Sequence, residues 1–124
     1  MKEYIQSKIQ NIHVTDKSLD YDGSVTICSE LMYKVDLDPY QKVDVVNINT
    51  GDRWSTYVIP GGKGVFQLNG GGARLGEVGD PCVIMGYKNS SHFEGAIVAY
   101  TNKYNKIVKS IIYGNWMSKT NTLS

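Results

Sequence analysis

The sequence predicts an all-β fold with short helices, on three observations. Short runs rich in Val, Ile, Thr and Tyr recur along the chain, and nearly every one ends in Gly, Asn, Asp or Pro. Thirteen glycines and nine tyrosines in 124 residues suit tight turns joined to half-buried strands. Only one segment, SELMYKV (29–35), reads as a helix, with Ser29 placed as an N-cap and Pro39 beyond its end.

Taken in order, Val25, Thr26 and Ile27 form the first clear strand signal, entered through Asp22 and Gly23. KVDVVNIN and RWSTYVI flank Thr50-Gly51-Asp52 and read as a hairpin. Pro60-Gly61-Gly62 is expected to break the second of these strands, and GVFQLN (64–69) to form the next. A glycine-rich stretch, NGGGARL (69–75), and a GEVGD turn lead into CVIMGY (82–87). AIVAY (96–100) and KIVKSIIY (106–113) complete the strands, and WMSKTNTLS reads as a loosely held tail. Many short strands with glycine-rich corners predict a small closed barrel. No repeat, linker or low-complexity block interrupts 1–124, which reads as a single domain long enough to bury a core.

Composition excludes several function classes. Thirteen basic against twelve acidic residues give a net charge of +1, too little to draw the chain to nucleic acid or a membrane surface. The start, MKEYIQSKIQNIHV, carries charges and amides where a signal peptide needs an apolar run. No apolar stretch approaches the ~20 residues of a membrane span. Cys28 and Cys82 lack a CxxC spacing, so neither a zinc site nor a disulfide framework is indicated, and a reducing, cytoplasmic compartment is expected.

Few motifs carry chemistry. GxSxG, HExxH and phosphate-loop patterns are absent, since GGGARL lacks the Lys-Ser/Thr that a phosphate loop needs. His13 and His92 stand in no nucleophile–base order and read as solvated side chains. Hydroxyls and cations are instead concentrated around strands: Lys8, Tyr21, Ser24, Arg53, Ser55, Thr56 and Tyr57. Taken alone, RWSTYVI is a half-exposed strand whose alternate side chains face solvent, and Gly23-Ser24 is a turn before a strand.

Read together and in order, SKIQNIHVT, LDYDGSVTI, KVDVVNINTGDRWSTYVIP, QLNGGGARL and GDPCVIMGY closely resemble the aspartate 1-decarboxylase family. The resemblance runs from Lys8 to Tyr87 and continues weakly through AIVAYTNKYNKIV; KNSSHFEGA does not share it. It implies a six-stranded double-psi β-barrel assembled as a homotetramer, and decarboxylation of L-aspartate to β-alanine and CO2 for pantothenate and coenzyme A synthesis. The cofactor it implies is a covalent pyruvoyl group made from Ser24, with no metal and no pyridoxal phosphate. Mapped onto this chain, the Gly23–Ser24 bond cleaves itself into 1–23 and 24–124, with Tyr21 and Thr56 assisting. Ser24 Oγ attacks the Gly23 carbonyl, and glycine suits that position because it tolerates strained backbone and leaves the carbonyl open. The Thr56 hydroxyl would serve that carbonyl as a donor. The pyruvoyl group is an electron sink that forms a Schiff base with the substrate amine. Tyr57 corresponds to the proton donor. Lys8, Arg53, Thr56, Asn69, Gly70, Gly71 and Gly72 correspond to substrate-binding positions, either cation being able to take either carboxylate.

The sequence also departs from the family pattern. Gly71 and Gly72 stand where alanines are usual, which predicts a looser loop at something like 0.5–1 kcal/mol of ordering cost per site. Gln10 replaces a usual histidine, Asn11 a usual basic residue and Trp54 a usual phenylalanine. Two alternatives stay open: a pyruvoyl decarboxylase of another amino acid, and an uncleaved barrel used as a binding module. Whether cleavage is spontaneous or needs a maturation factor is also open.

Overall fold

In the computed structural model, which describes residues 1–114, the chain is β-rich with one short α-helix and one 3-10 helix. The strands are β1 (Lys2–His13), β2 (Asp16–Ser18), β3 (Ser24–Cys28), β4 (Lys42–Asn47), β5 (Arg53–Gly61), β6 (Phe66–Asn69), β7 (Pro81–Ser90), β8 (Ala96–Thr101) and β9 (Ile107–Tyr113). Helix α1 (Ser29–Lys34) follows β3, and the 3-10 helix (Gly70–Leu75) follows β6. The predicted tail, WMSKTNTLS, lies outside the described residues.

All nine strands join one sheet in the order β2-β6-β3-β5-β4-β7-β1-β8-β9. Only Val14 and Thr15 separate β1 from β2, yet six strand steps separate them in that order. Laid flat, those steps would cover about 29 Å. Three Cα–Cα virtual bonds reach only about 11 Å. The sheet therefore curls until its ends meet. Val14 N–H donates to Asp80 O at 3.0 Å, Gly79 N–H returns to Val14 O at 2.8 Å, and Thr15 N–H reaches Phe66 O at 2.8 Å across the seam. With β1 and β2 counted as one bent strand, six positions form the ring: β1/β2, β6, β3, β5, β4 and β7. This reconciles nine strands with the six expected, because β8 and β9 add a flap on the free edge of β1.

The core is the inward face of this ring: Ile9, Ile12, Val25, Ile27, Val43, Val45, Val58, Phe66, Leu68 and Ile84 are all buried. Alternation makes the opposite residues face outward. On β5, Val58 points in with its partner Val25, and Thr56 points in with Val43, while Arg53, Ser55 and Tyr57 point out.

Three local expectations need correction. Ser29 is not the N-cap of α1; Cys28 occupies that position and no side chain caps the helix, which is anchored instead by buried Leu31 and Met32. Pro60 does not break β5, which runs to Gly61 with Pro60 opposite Ile27. The β4 ladder ends at Tyr57 and the Tyr40 and Gln41 backbone covers Val58, so only past Val58 does that edge of β5 lack strand pairing and tolerate a missing N–H. The stretch 69–75 is not a plain loop, since 70–75 wind into the 3-10 helix. The strand β1, masked in sequence by amides and lysines, adjusts its register with irregularities between Ile5 and Ser7 and between Gln10 and Ile12. Asn11, at φ 67°, sits in the second of these.

Candidate active site

Ser24 opens β3 and is 2% exposed, although the preceding Gly23 is open to solvent. It pairs with Asn69 across the antiparallel β3–β6 ladder, so both side chains stand on the same face. Asn69 Nδ2 donates to Ser24 Oγ at 2.9 Å and to Thr26 Oγ1 at 3.0 Å, and its Oδ1 accepts from Gln67 Nε2 at 2.7 Å. Ser24 Oγ in turn reaches Asp22 O at 3.4 Å. One buried carboxamide thus ties together the hydroxyls of two strand residues. Every member is uncharged.

The glycine loop closes over this cluster. Gly70 has φ +65°, and a Cβ there would lie 2.9 Å from Gly23 Cα, Gly23 N and Tyr21 O. Such a contact is forbidden, so Gly70 is required where the two backbones touch. At Gly23 itself φ is not positive and a Cβ would meet nothing within 4 Å. The strained-backbone reason for glycine at 23 is therefore corrected: the steric demand belongs to Gly70, and the side-chain direction at Gly23 is open. A Cβ on Gly72 would stand 3.0 Å from Trp54 Nε1, whereas Gly71 faces open space. The far end of the 3-10 helix is held by Asn47, which is fully buried and donates from Nδ2 to Leu75 O at 3.0 Å and to Asp80 Oδ2 at 2.9 Å.

Thr56 and Tyr57 lie on β5, the strand that runs parallel beside β3. The parallel β3–β5 register pairs Val25 with Val58. The register begins there; continued one step back it would bring Tyr57 beside Ser24, while Thr56 lies on the opposite face of β5 and Gly23 precedes β3. Tyr57 stacks on Tyr40 with ring centroids 6.1 Å apart. Tyr21 is about half exposed and borders the site through its carbonyl.

The two cations stand elsewhere on the outer face. Lys8 pairs in register with Met85, Met85 with Asp44, and Asp44 with Ser55. Arg53 Nη2 contacts Asp44 Oδ2 at 3.3 Å and Tyr87 Oη at 3.2 Å. Asp44 also accepts from Ser55 Oγ at 2.6 Å and Tyr87 Oη at 2.9 Å. The Ser55 hydrogen bond, followed by those from Tyr87 and Arg53, holds the Asp44 carboxyl below its usual range against the opposing effect of burial. Burial, then the Asp44 contact, pushes the Tyr87 phenol up. Lys8 lines a cavity of about 790 Å³ with Ile5, Met85, Tyr87, Val98 and Tyr100. Among the described residues no hydrogen bond or ion pair joins Lys8 or Arg53 to Ser24, Asn69 or the glycine loop.

Sequence reasoning missed Thr26, Gln67, Asn47, Asp44 and Tyr87. Period-two spacing could have found the first two, since they lie two residues from Ser24 and Asn69 on the same faces. His13 bonds its own neighbourhood through Asn11 O, and His92 contacts Ser91. Burial and the nearby Asp80 carboxylate push the Cys82 thiol up to about 12, which keeps it protonated and unreactive.

A family model described as aspartate decarboxylase matches residues 1–108. The match extends beyond Tyr87, so segment 88–96, read as unlike the family, lies within it. A protein of Kosmotoga olearia named aspartate 1-decarboxylase is 45% identical over 84% of this chain and 95% of its own length. A Carboxydothermus hydrogenoformans protein of that name is 42% identical over 85% and 87%. A Staphylococcus epidermidis protein, named likewise, is 39% identical over 100% and 98%.

Proposed function

This chain belongs to the aspartate decarboxylase family, and from that premise we propose that its reaction depends on a pyruvoyl group made from Ser24. The reaction is decarboxylation of L-aspartate to β-alanine and CO2, which serves pantothenate and coenzyme A synthesis. The observation that carries the proposal is the Ser24 hydroxyl, buried and held by Asn69 at 2.9 Å immediately after an uncrowded Gly23. These residues fit the group: a serine at a strand start, a neutral donor on its oxygen, and a glycine backbone pressed against the bond to be broken.

In self-processing, Ser24 Oγ bonds to the Gly23 carbonyl carbon as the C–N bond breaks, and the hydroxyl proton ends on the freed amine. Asn69 Nδ2 fixes the attacking oxygen. Thr56, on the neighbouring strand β5, supplies a donor for the charge on the carbonyl oxygen, and such a donor is worth roughly 3–4 kcal/mol. Loss of the Ser24 α-proton then releases Gly23 as a carboxylate and leaves dehydroalanine, and water replaces its nitrogen with loss of ammonia. The products are chains 1–23 and 24–124.

When present, the pyruvoyl group supplies the electron sink for decarboxylation. The protein's own residues do the rest. Arg53 and Lys8 match the two carboxylates of aspartate. Glycines 70–72 let backbone amides approach, and Tyr57, beside Ser24, returns a proton to carbon.

Supported by the family resemblance, we also propose a homotetramer in the cytoplasm, with maturation open to help from a partner protein. Among the described residues no helix is long and apolar enough to cross a membrane.

Denaturing mass spectrometry tests the proposal. Two chains are expected, the larger carrying a hydroxylamine-reactive carbonyl, while Ser24→Ala stays uncut because no oxygen remains to attack. Wild-type protein that stays one chain after prolonged warming, with or without cell extract, would overturn it. CO2 release should be efficient with L-aspartate and poor with alanine or leucine. Glutamate should be weak, since one extra methylene typically discriminates by about 10–200-fold. Preference for a neutral amino acid would point to a different decarboxylase.

A further inference from the structure

We propose that Tyr87, a wall of the Lys8 cavity, is a positioning residue for substrate binding, which holds Arg53 beside that cavity and weakens the grip of Asp44 on it. The inference rests on Arg53 and Lys8 as the substrate's cationic partners.

Tyr87 is where those two cations come closest to sharing a residue. Its ring walls the Lys8 cavity beside Met85. Its hydroxyl donates to Asp44 Oδ2 at 2.9 Å and accepts from Arg53 Nη2 at 3.2 Å. A phenol has one proton, so giving it to Asp44 leaves a lone pair facing the guanidinium. The raised phenol and the depressed carboxyl keep this polarity across the neutral range.

The arrangement handles a competition. A carboxylate 3.3 Å from Arg53 rivals the carboxylate of an incoming substrate. Asp44 is satisfied by two neutral donors, with Ser55 on Oδ1 and Tyr87 on Oδ2. Its remaining pull on Arg53 is reduced accordingly. Arg53 touches the cluster through Nη2 alone and its side chain is 56% exposed, which leaves N–H groups available for a planar carboxylate. If the Tyr87 hydroxyl is removed, Asp44 Oδ2 has only Arg53 to turn to, and the cation is drawn away from the cavity.

The test uses the full-length, matured protein. Tyr87→Phe is expected to cleave like wild type, to raise KM for aspartate about tenfold and to leave kcat within about twofold. Succinate, a dicarboxylate that cannot react, should lose affinity by the same factor in calorimetry. Adding Asp44→Asn to Tyr87→Phe removes the competing charge and should recover most of the KM. A purely structural role for Tyr87 predicts no such rescue. Should Tyr87→Phe fail to mature, Ser55→Ala, which takes the other donor from Asp44, should raise KM two- to threefold. Unchanged KM and succinate affinity in the variants that mature would overturn the inference. Wild-type protein that cleaves yet ignores aspartate would instead overturn the reading on which it rests.

Discussion

The surroundings of Ser24 and the surroundings of Arg53 are made of opposite materials. Around Ser24 the groups are neutral, with Ser24 and Asn69 buried at their centre: two carboxamides, two hydroxyls, and glycine backbone close against glycine backbone. Around Arg53 they are charged and half exposed, and each has more than one partner within reach. The difference fits the two tasks proposed for these regions. Breaking a peptide bond of its own chain requires that bond to be held in one geometry, and unpaired buried charge there would cost several kcal/mol. Binding a charged substrate requires cations that can exchange one partner for another, which exposure makes cheap.

The largest expected effects separate the two tasks within two adjacent residues. Thr56 and Tyr57 lie on opposite faces of β5, whose pairing with β4 and β3 shows no irregularity. Thr56→Val, nearly isosteric, should slow self-cleavage by about 10²–10³-fold through loss of one oxyanion donor. Tyr57→Phe should cleave normally and then lose most of its turnover. Cleavage kinetics by gel and CO2 release by the matured protein read these separately. A fully active, cleaved Tyr57→Phe protein would remove Tyr57 as proton donor.

Gly70→Ala is the next largest. The substitution forces an L-residue to φ +65° and drives a Cβ to 2.9 Å from the Gly23 backbone. We expect a loss of about 2 kcal/mol or more in stability and strongly impaired cleavage, measured by thermal unfolding and by mass. Normal cleavage would show that the two backbones need not touch.

The order in which these features become legible is instructive. The β4–β5 hairpin, β3 and the strands after Pro81 were readable because β-branched runs end at turn residues. A closed barrel was expected, but its seam was not readable, because the closure depends on Val14 and Thr15 being too short a link for a flat sheet. Nor was β1, whose apolar residues are broken by two register irregularities that defeat period-two reading. At the site, Ser24, Asn69 and Thr56 were named from a linear resemblance. Asn47 and Tyr87 were not, since their partners lie 28 and 33, and 34 and 43, positions away in the chain. Hydrogen bonds of that range leave no local pattern.

Acid should act on the charged region and spare the neutral one. Asp44 and Asp80 both have depressed folded-state pKa values, Asp80 chiefly through its bond from Asn47. A depressed carboxyl stabilises the fold above its unfolded value, near 3.8, and that contribution disappears as pH falls through the lower folded value. Unfolding temperature should therefore hold steady from neutral pH to about 4 and decline below it. Asp44→Asn should shrink the decline. Thr26→Val should leave its shape unchanged, because the hydroxyl it removes from the Asn69 cluster does not ionise in this range. A decline that Asp44→Asn leaves unchanged would remove Asp44 as its source.

The smallest effect tests the loop itself. Two glycines where alanines are usual predicted a uniformly looser segment, but their surroundings differ. A Cβ on Gly71 meets nothing within 4 Å and its φ lies outside the left-handed region, so Gly71→Ala should stabilise by about 0.4–1 kcal/mol through the unfolded chain alone. On Gly72 the same methyl would press on the Trp54 indole at 3.0 Å, and the ring, packed against the core, has little room to retreat. Gly72→Ala should destabilise, and Trp54→Phe, which removes the Nε1 edge, should cancel that loss. Trp54 and Gly72 would then be one matched change rather than two departures. Unfolding midpoints for Gly71→Ala, Gly72→Ala and Gly72→Ala with Trp54→Phe decide it: equal shifts for the two single variants would mean that the indole edge places no constraint on the loop.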